Sequence, residues 1–217
     1  MRPSMGRLHG VVRQRPTPIL ELLESRQPTA GTTKLVGVDG HGGAGKSTFA
    51  ELLARHLGAE IVHTDDFASW DNPKDWWPLL LERVLEPIAG GALTLSYPRS
   101  RWWPDHDPQP VVGQPVTPVM IVEGVSALRE EFRAYMTVGV FIAAARDLCL
   151  RRGIERDASQ GTRDEIAELW ERYYADEEHY MRRDNPKGYA DVVLDGSRPF
   201  GAQVQINGGP TTSPAGT

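Results

Sequence analysis

Residues 40–47 read Gly40-His41-Gly42-Gly43-Ala44-Gly45-Lys46-Ser47, a full fit to the pattern G-x-x-x-x-G-K-[ST]. Glycines let the backbone turn tightly enough for consecutive N–H groups to point at phosphate oxygens. The helix that must begin near Gly45 adds the positive end of its dipole. The context fits on both sides. Lys34–Asp39 (KLVGVD) is a short apolar run of strand type, and from Lys46 the apolar residues Phe49, Leu52, Leu53 and Leu57 recur at helical spacing up to Gly58. In this arrangement the backbone of Gly40, Gly42, Gly43, Ala44, Gly45, Lys46, Ser47 and Thr48 cradles ATP. Lys46 reaches the β- and γ-phosphates, and the Ser47 hydroxyl sits on Mg²⁺. His41 reads as a variable position facing solvent or nucleotide.

Outward from this loop, strand-type and helix-type segments alternate. Strands are expected at 59–64, 93–97, 119–122, 138–143 and 190–194. Helices are expected at 75–88, around 128–135, at 146–157 and at 163–183. Continuous apolar strands alternating with helices make a parallel sheet covered on both faces. Such sheets bind ligands at the carboxyl ends of their strands. A short helix with Ile19, Leu22 and Leu23 on one face precedes the first strand, and a Pro/Trp-rich loop runs to Pro118. The stretch 208–217 is almost entirely Gly, Pro, Ser and Thr and reads as disordered. The expected organisation is an N-terminal extension (1–33), one catalytic domain (34–196, with a lid at about 146–165) and a largely disordered tail (197–217).

Two carboxylates stand at strand ends. Asp65 follows the second strand, where it can take a proton from an attacking hydroxyl and help hold Mg²⁺. An Asx turn or helix cap is the competing reading there and for Asp66. Glu123 ends the strand 119–122 in front of Gly124, the place of an acid acting on Mg²⁺. Arg152 and Arg156 lie four apart on one helical face and could close over phosphates, or simply face solvent. Trp76 and the neighbouring tryptophans can stack on a sugar or base, or pack a core. Trp170, Tyr173, Tyr174 and Tyr180 read as packing on the long helix. Asp105, His106 and Asp107 read as a solvated turn.

Composition bounds the function. The chain has 217 residues, 40% hydrophobic and 24% charged, with a net charge of −5. That is an ordinary globular composition, and it argues against a general binder of nucleic acid. The single cysteine, Cys149, excludes an internal disulfide and reads as a small core residue. No run approaches the ~18 apolar residues of a membrane span, so neither a membrane nor nucleic acid is expected as a partner and the expected location is cytoplasmic. A homo-oligomer is compatible with these features.

The blocks GVDGHGGAGKST, HTDDF, IVEG, LRRGIERD and ADVVLDG together resemble the uridine kinase, phosphoribulokinase and pantothenate kinase branch of the P-loop kinases, over about residues 34–196. The resemblance implies a three-layer α/β/α sandwich of P-loop NTPase type, with a five-stranded parallel sheet and a helical lid. It implies Asp65 as catalytic base, Glu123 at the metal, and Arg152 and Arg156 on the phosphates. On the substrate side, Asp71-Asn72-Pro73 is similar to a D-H-P segment whose Asp holds sugar hydroxyls. Tyr97 stands at the Tyr of Y-D-x-x-x-H-S-R, whose His is absent here. The implied activity is transfer of the γ-phosphate of ATP to a hydroxyl of a nucleoside, sugar or similar polyol. The alternatives are a kinase for a pantothenate-like metabolite or an antibiotic, and a non-kinase P-loop ATPase or nucleotide switch.

Overall fold

A computed structural model describes residues 18–69, 72, 75–99 and 111–204. Asp71, Trp70, Trp102, Trp103, His106 and the stretch 208–217 lie outside the described residues. Five parallel strands form the central sheet in the order β2-β5-β1-β6-β7: β1 (Lys34–Asp39), β2 (Glu60–His63), β5 (Val119–Glu123), β6 (Met136–Ala143) and β7 (Val192–Asp195). Every strand bonds only to parallel neighbours, which matches the apolar, non-alternating sequence of β1, β5 and β6.

Successive strand side chains point to opposite faces and build two cores. Val36, Val38, Ile121, Val140 and Ile142 face one layer, made by α1 (Pro18–Ser25), α2 (Lys46–Leu57), α5 (Arg146–Asp157) and α6 (Arg163–Asp184). Leu35, Val62, Met120 and Val122 face the other. That second layer holds α3 (Trp77–Leu80), a π turn (Leu81–Leu85) and α4 (Glu86–Ala89), which run on as one helical stretch. It also holds a 3₁₀ segment, Glu130–Tyr135, and a separate antiparallel ribbon of β3 (Thr94–Pro98) and β4 (Val111–Pro115). The three-layer sandwich expected from the sequence is the observed fold.

Four details differ from the sequence reading. The helix expected at 75–88 carries the π turn. The segment expected around 128–135 is 3₁₀. The Pro/Trp-rich loop contains β4. Two further short helices, α7 (Pro186–Tyr189) and α8 (Phe200–Val204), flank β7. Ile19 and Leu23 of α1 and Phe200 of α8 belong to the first core, with the Phe200 ring 5.3 Å from that of Phe49. No helix among the described residues is long and apolar enough to cross a membrane.

Candidate active site

The loop after β1 folds as its glycines demand. Gly43 takes φ +75°, and a Cβ there would lie 2.3 Å from the Cys149 carbonyl oxygen, so no larger residue fits between the loop and α5. Gly45 opens α2 in the left-handed region (φ 103°). Lys46 is buried, and its ammonium donates to the His41 carbonyl at 2.9 Å.

A cavity of about 1090 Å³ opens over this loop. Lys46, Ser47, Asp65, Glu123, Arg152 and Arg156 all line it, so the fold brings together the phosphate-loop, strand-end and arginine candidates. Ser47 Oγ donates to Glu123 at 3.2 and 3.3 Å. Burial works to raise the Glu123 carboxyl, but His63, Lys46 and Ser47 outweigh it and hold it below its ordinary value. Asp65, in the 3₁₀ turn after β2, opens onto the cleft while ringed by protein. That desolvation raises its carboxyl above the usual Asp value, with Lys46 working in the opposite direction. Arg152 donates to the carbonyls of Gly43 (3.3 Å) and Gly196 (3.0 Å). Arg156 pairs with Asp157 at 2.8 Å and lies over the Trp170 ring at 5.3 Å.

A second cavity, of about 290 Å³, also borders Asp65. Asp65, Val125 and Tyr173 line both cavities. Trp76, Arg129, His179 and Arg183 line the second alone of the two. Trp76 packs in the second core and contributes to this cavity's wall. Tyr97 has no part in that wall: it is 1% exposed, its ring sits 4.8 Å from that of Phe67, and it lines neither cavity. Its hydroxyl points at Asp66, which pairs with Arg99 at 3.1 Å. Tyr97 thus packs the second core, away from the cleft its proposed role required.

Several site residues escaped the sequence reading. His63 Nδ1 lies 2.6 Å from Glu123 Oε1, a contact that raises the imidazole above its ordinary value against the effect of burial. Its place as the last residue of β2, just before the turn that carries Asp65, was the available signal. His41 faces neither solvent nor an open cleft. It is half-buried, stacks on Tyr174 and bonds to Glu177. Trp170 and Tyr173, expected only as packing, line the large cavity. Asp39 is buried and accepts from the Gly40 and Leu128 N–H groups and the Tyr180 hydroxyl. Cys149 is a buried core residue, as expected.

Residues 104–198 match the phosphoribulokinase / uridine kinase family. The fold is that of the P-loop kinases, and the chain resembles their phosphoribulokinase and uridine kinase branch. A uridine kinase of Schizosaccharomyces pombe (strain 972 / ATCC 24843) is 25% identical over 194 residues, which is 77% of this chain and 41% of that protein. The chain thus spans less than half the length of this curated relative. Among solved structures, a possible uridine kinase from Bacillus stearothermophilus superposes with a TM-score of 0.56 at 19% identity, covering 82% of this chain and 95% of that one.

The residues present fit the groups that a P-loop kinase handles. The Gly43 cradle has no room for a side chain, and Ser47 with Glu123 and Asp65 offers oxygen donors only, the set a hard divalent cation such as Mg²⁺ selects.

Proposed function

We propose that this protein is an ATP-dependent phosphotransferase that moves the γ-phosphoryl group of ATP to a hydroxyl of a nucleoside, sugar or similar small polyol. One observation carries the reading: Asp65 lines both the cavity over the phosphate loop and the smaller cavity beyond it. A carboxylate at that junction touches whatever lies between a nucleotide's last phosphate and a second small molecule.

The chain's own groups then divide the work. The backbone N–H groups of residues 42–48 and the Lys46 ammonium bind the phosphates. Ser47 and Glu123, with Asp65 beside them, would hold Mg²⁺, which when bound neutralises charge on the β- and γ-phosphates. Asp65 accepts the proton of the acceptor hydroxyl. Arg152 and Arg156 stabilise charge on the transferring group. The second cavity takes the acceptor, with Trp76 as an apolar wall. Most of the rate then comes from positioning and charge stabilisation.

The test is ATP turnover with Mg²⁺, alone and with a panel of nucleosides, sugars, polyols, pantothenate-like alcohols and hydroxylated antibiotics. The proposal expects little turnover alone and a large increase with one acceptor class. Equal turnover with and without every acceptor would identify an ATPase and reject the kinase reading.

A further inference from the structure

The peptide joining His41 to Gly42 is held from both sides. Its carbonyl accepts from the Lys46 ammonium at 2.9 Å. Its N–H lies 3.1 Å from each oxygen of the Glu177 carboxylate. Glu177 comes from α6, is 4% exposed, and also contacts His41 Nδ1 at 2.9 Å. His41 is fixed in turn by stacking on Tyr174, with centroids 4.3 Å apart and planes 12° apart, and by Glu178 at 3.3 Å. A glycine-rich loop of this type offers its N–H groups to phosphate oxygens, and its lysine serves the terminal phosphates. The Lys46 contact therefore marks peptide 41–42 as the terminal-phosphate end of the loop. At that end one N–H already holds an anion, and the anion belongs to the protein.

A buried carboxylate beside a triphosphate is electrostatically opposed to it. Glu177 has somewhere else to go, because it also lines the smaller cavity beside Asp65. We propose that Glu177 is a placeholder for the terminal phosphate: it occupies the Gly42 N–H in the empty enzyme and yields that donor when a nucleoside triphosphate enters, turning toward the smaller cavity. This rests on the phosphotransferase reading of the same site. A diphosphate does not reach the donor and leaves Glu177 where it is. The carboxylate therefore weakens binding of ATP and leaves ADP untouched, and it ties arrival of the γ-phosphate to a change in the wall of the acceptor compartment.

Calorimetric titration of ADP and of a non-hydrolysable ATP analogue, both with Mg²⁺, tests this without any acceptor. Glu177→Gln keeps an oxygen for the Gly42 N–H and removes the charge. The analogue should bind roughly tenfold tighter to it and ADP within about twofold of wild type. His41→Ala removes a contact that holds the carboxylate on the loop, so the Gly42 N–H is yielded more readily. The analogue should bind at least about threefold tighter, again with ADP unchanged. Equal shifts for both nucleotides, or no shift in Glu177→Gln, would overturn the placeholder. So would a Glu177→Gln protein with a lowered Tm and weaker binding of both nucleotides, which would make Glu177 a strut of the loop. Wild type that binds neither nucleotide would instead reject the nucleotide reading itself.

Discussion

Lys46 and Asp65 bear opposite charges within one cleft, and their removal should separate two kinds of loss. Under the proposed function, Lys46→Ala removes the cation assigned to the terminal phosphates and should lower turnover at least ~100-fold, the range of a lost electrostatic contact in a transition state. Asp65→Asn preserves size but cannot accept a proton, so nucleotide affinity should hold while transfer nearly disappears. Asp66 is the control. It faces Arg99 and Tyr97, away from both cavities. Asp66→Asn should leave turnover within a few-fold of wild type and cost about 1 kcal/mol of stability through the weakened pair. Steady-state kinetics with parallel melting curves check all three, and a reversal of the two aspartates would shift the catalytic register by one residue. Lys46, Ser47, Asp65 and Glu123 were legible in the sequence because each sits where a strand stops or a helix starts, positions that patterning locates. Glu177 was not. It lies mid-helix in a run of acids, and only folding α6 against the loop gives it a partner.

At the scale of elements, the contact between α5 and α6 lies beneath the cleft. Gly153 of α5 faces Trp170 of α6 so closely that a Cβ would lie 2.4 Å from the indole ring. The indole N–H donates to Asp157 at 3.0 Å, and Arg156 covers its face. Gly153→Ala should therefore destabilise by about 1–3 kcal/mol through overpacking. Helix propensity alone predicts the opposite sign, a gain of roughly 1 kcal/mol. Chemical denaturation decides between them, and in a Trp170→Leu background the penalty should largely vanish. The same scale explains what patterning missed. Val111–Pro115 contains Gly113 and Pro115, which argue against a strand. A two-stranded ribbon whose outer edges are unpaired in the described chain asks less of its N–H groups, so it accepts proline at the ends Pro98 and Pro115. The π turn at Leu81–Leu85 adds one residue to a helical turn without disturbing the apolar spacing read from sequence. Phe200 is a lone aromatic in a Gly/Pro/Ser setting, and only the groove beside Phe49 gives it a core to join.

Across the whole molecule, Arg26, the residue after α1, ties that helix to the β6–β7 end of the sheet. Arg26 meets both oxygens of Asp191, at 2.8 and 2.6 Å, and donates to the Thr137 carbonyl at 2.9 Å. Burial works to raise the Asp191 carboxyl, but Arg26 and the Gly139 N–H outweigh it and leave it below its ordinary value. A carboxyl lowered by folding stabilises fully above its unfolded value and loses that contribution as pH falls through its folded value. Arg26→Ala should therefore lower stability by at most about 1 kcal/mol, since the pair is partly exposed. The gap in Tm should persist from pH 7 to about pH 4 and close below that. A gap that widened on acidification would contradict the assignment. The central claim, that the two cavities meeting at Asp65 hold donor and acceptor of one phosphoryl group, has a more direct test. With γ-labelled ATP, Mg²⁺ and the best acceptor from the panel, the label should appear on the acceptor with wild type and stay on ATP with Asp65→Asn. Label released to water at the same rate whether or not acceptor is present, or transferred equally well by Asp65→Asn, would contradict it.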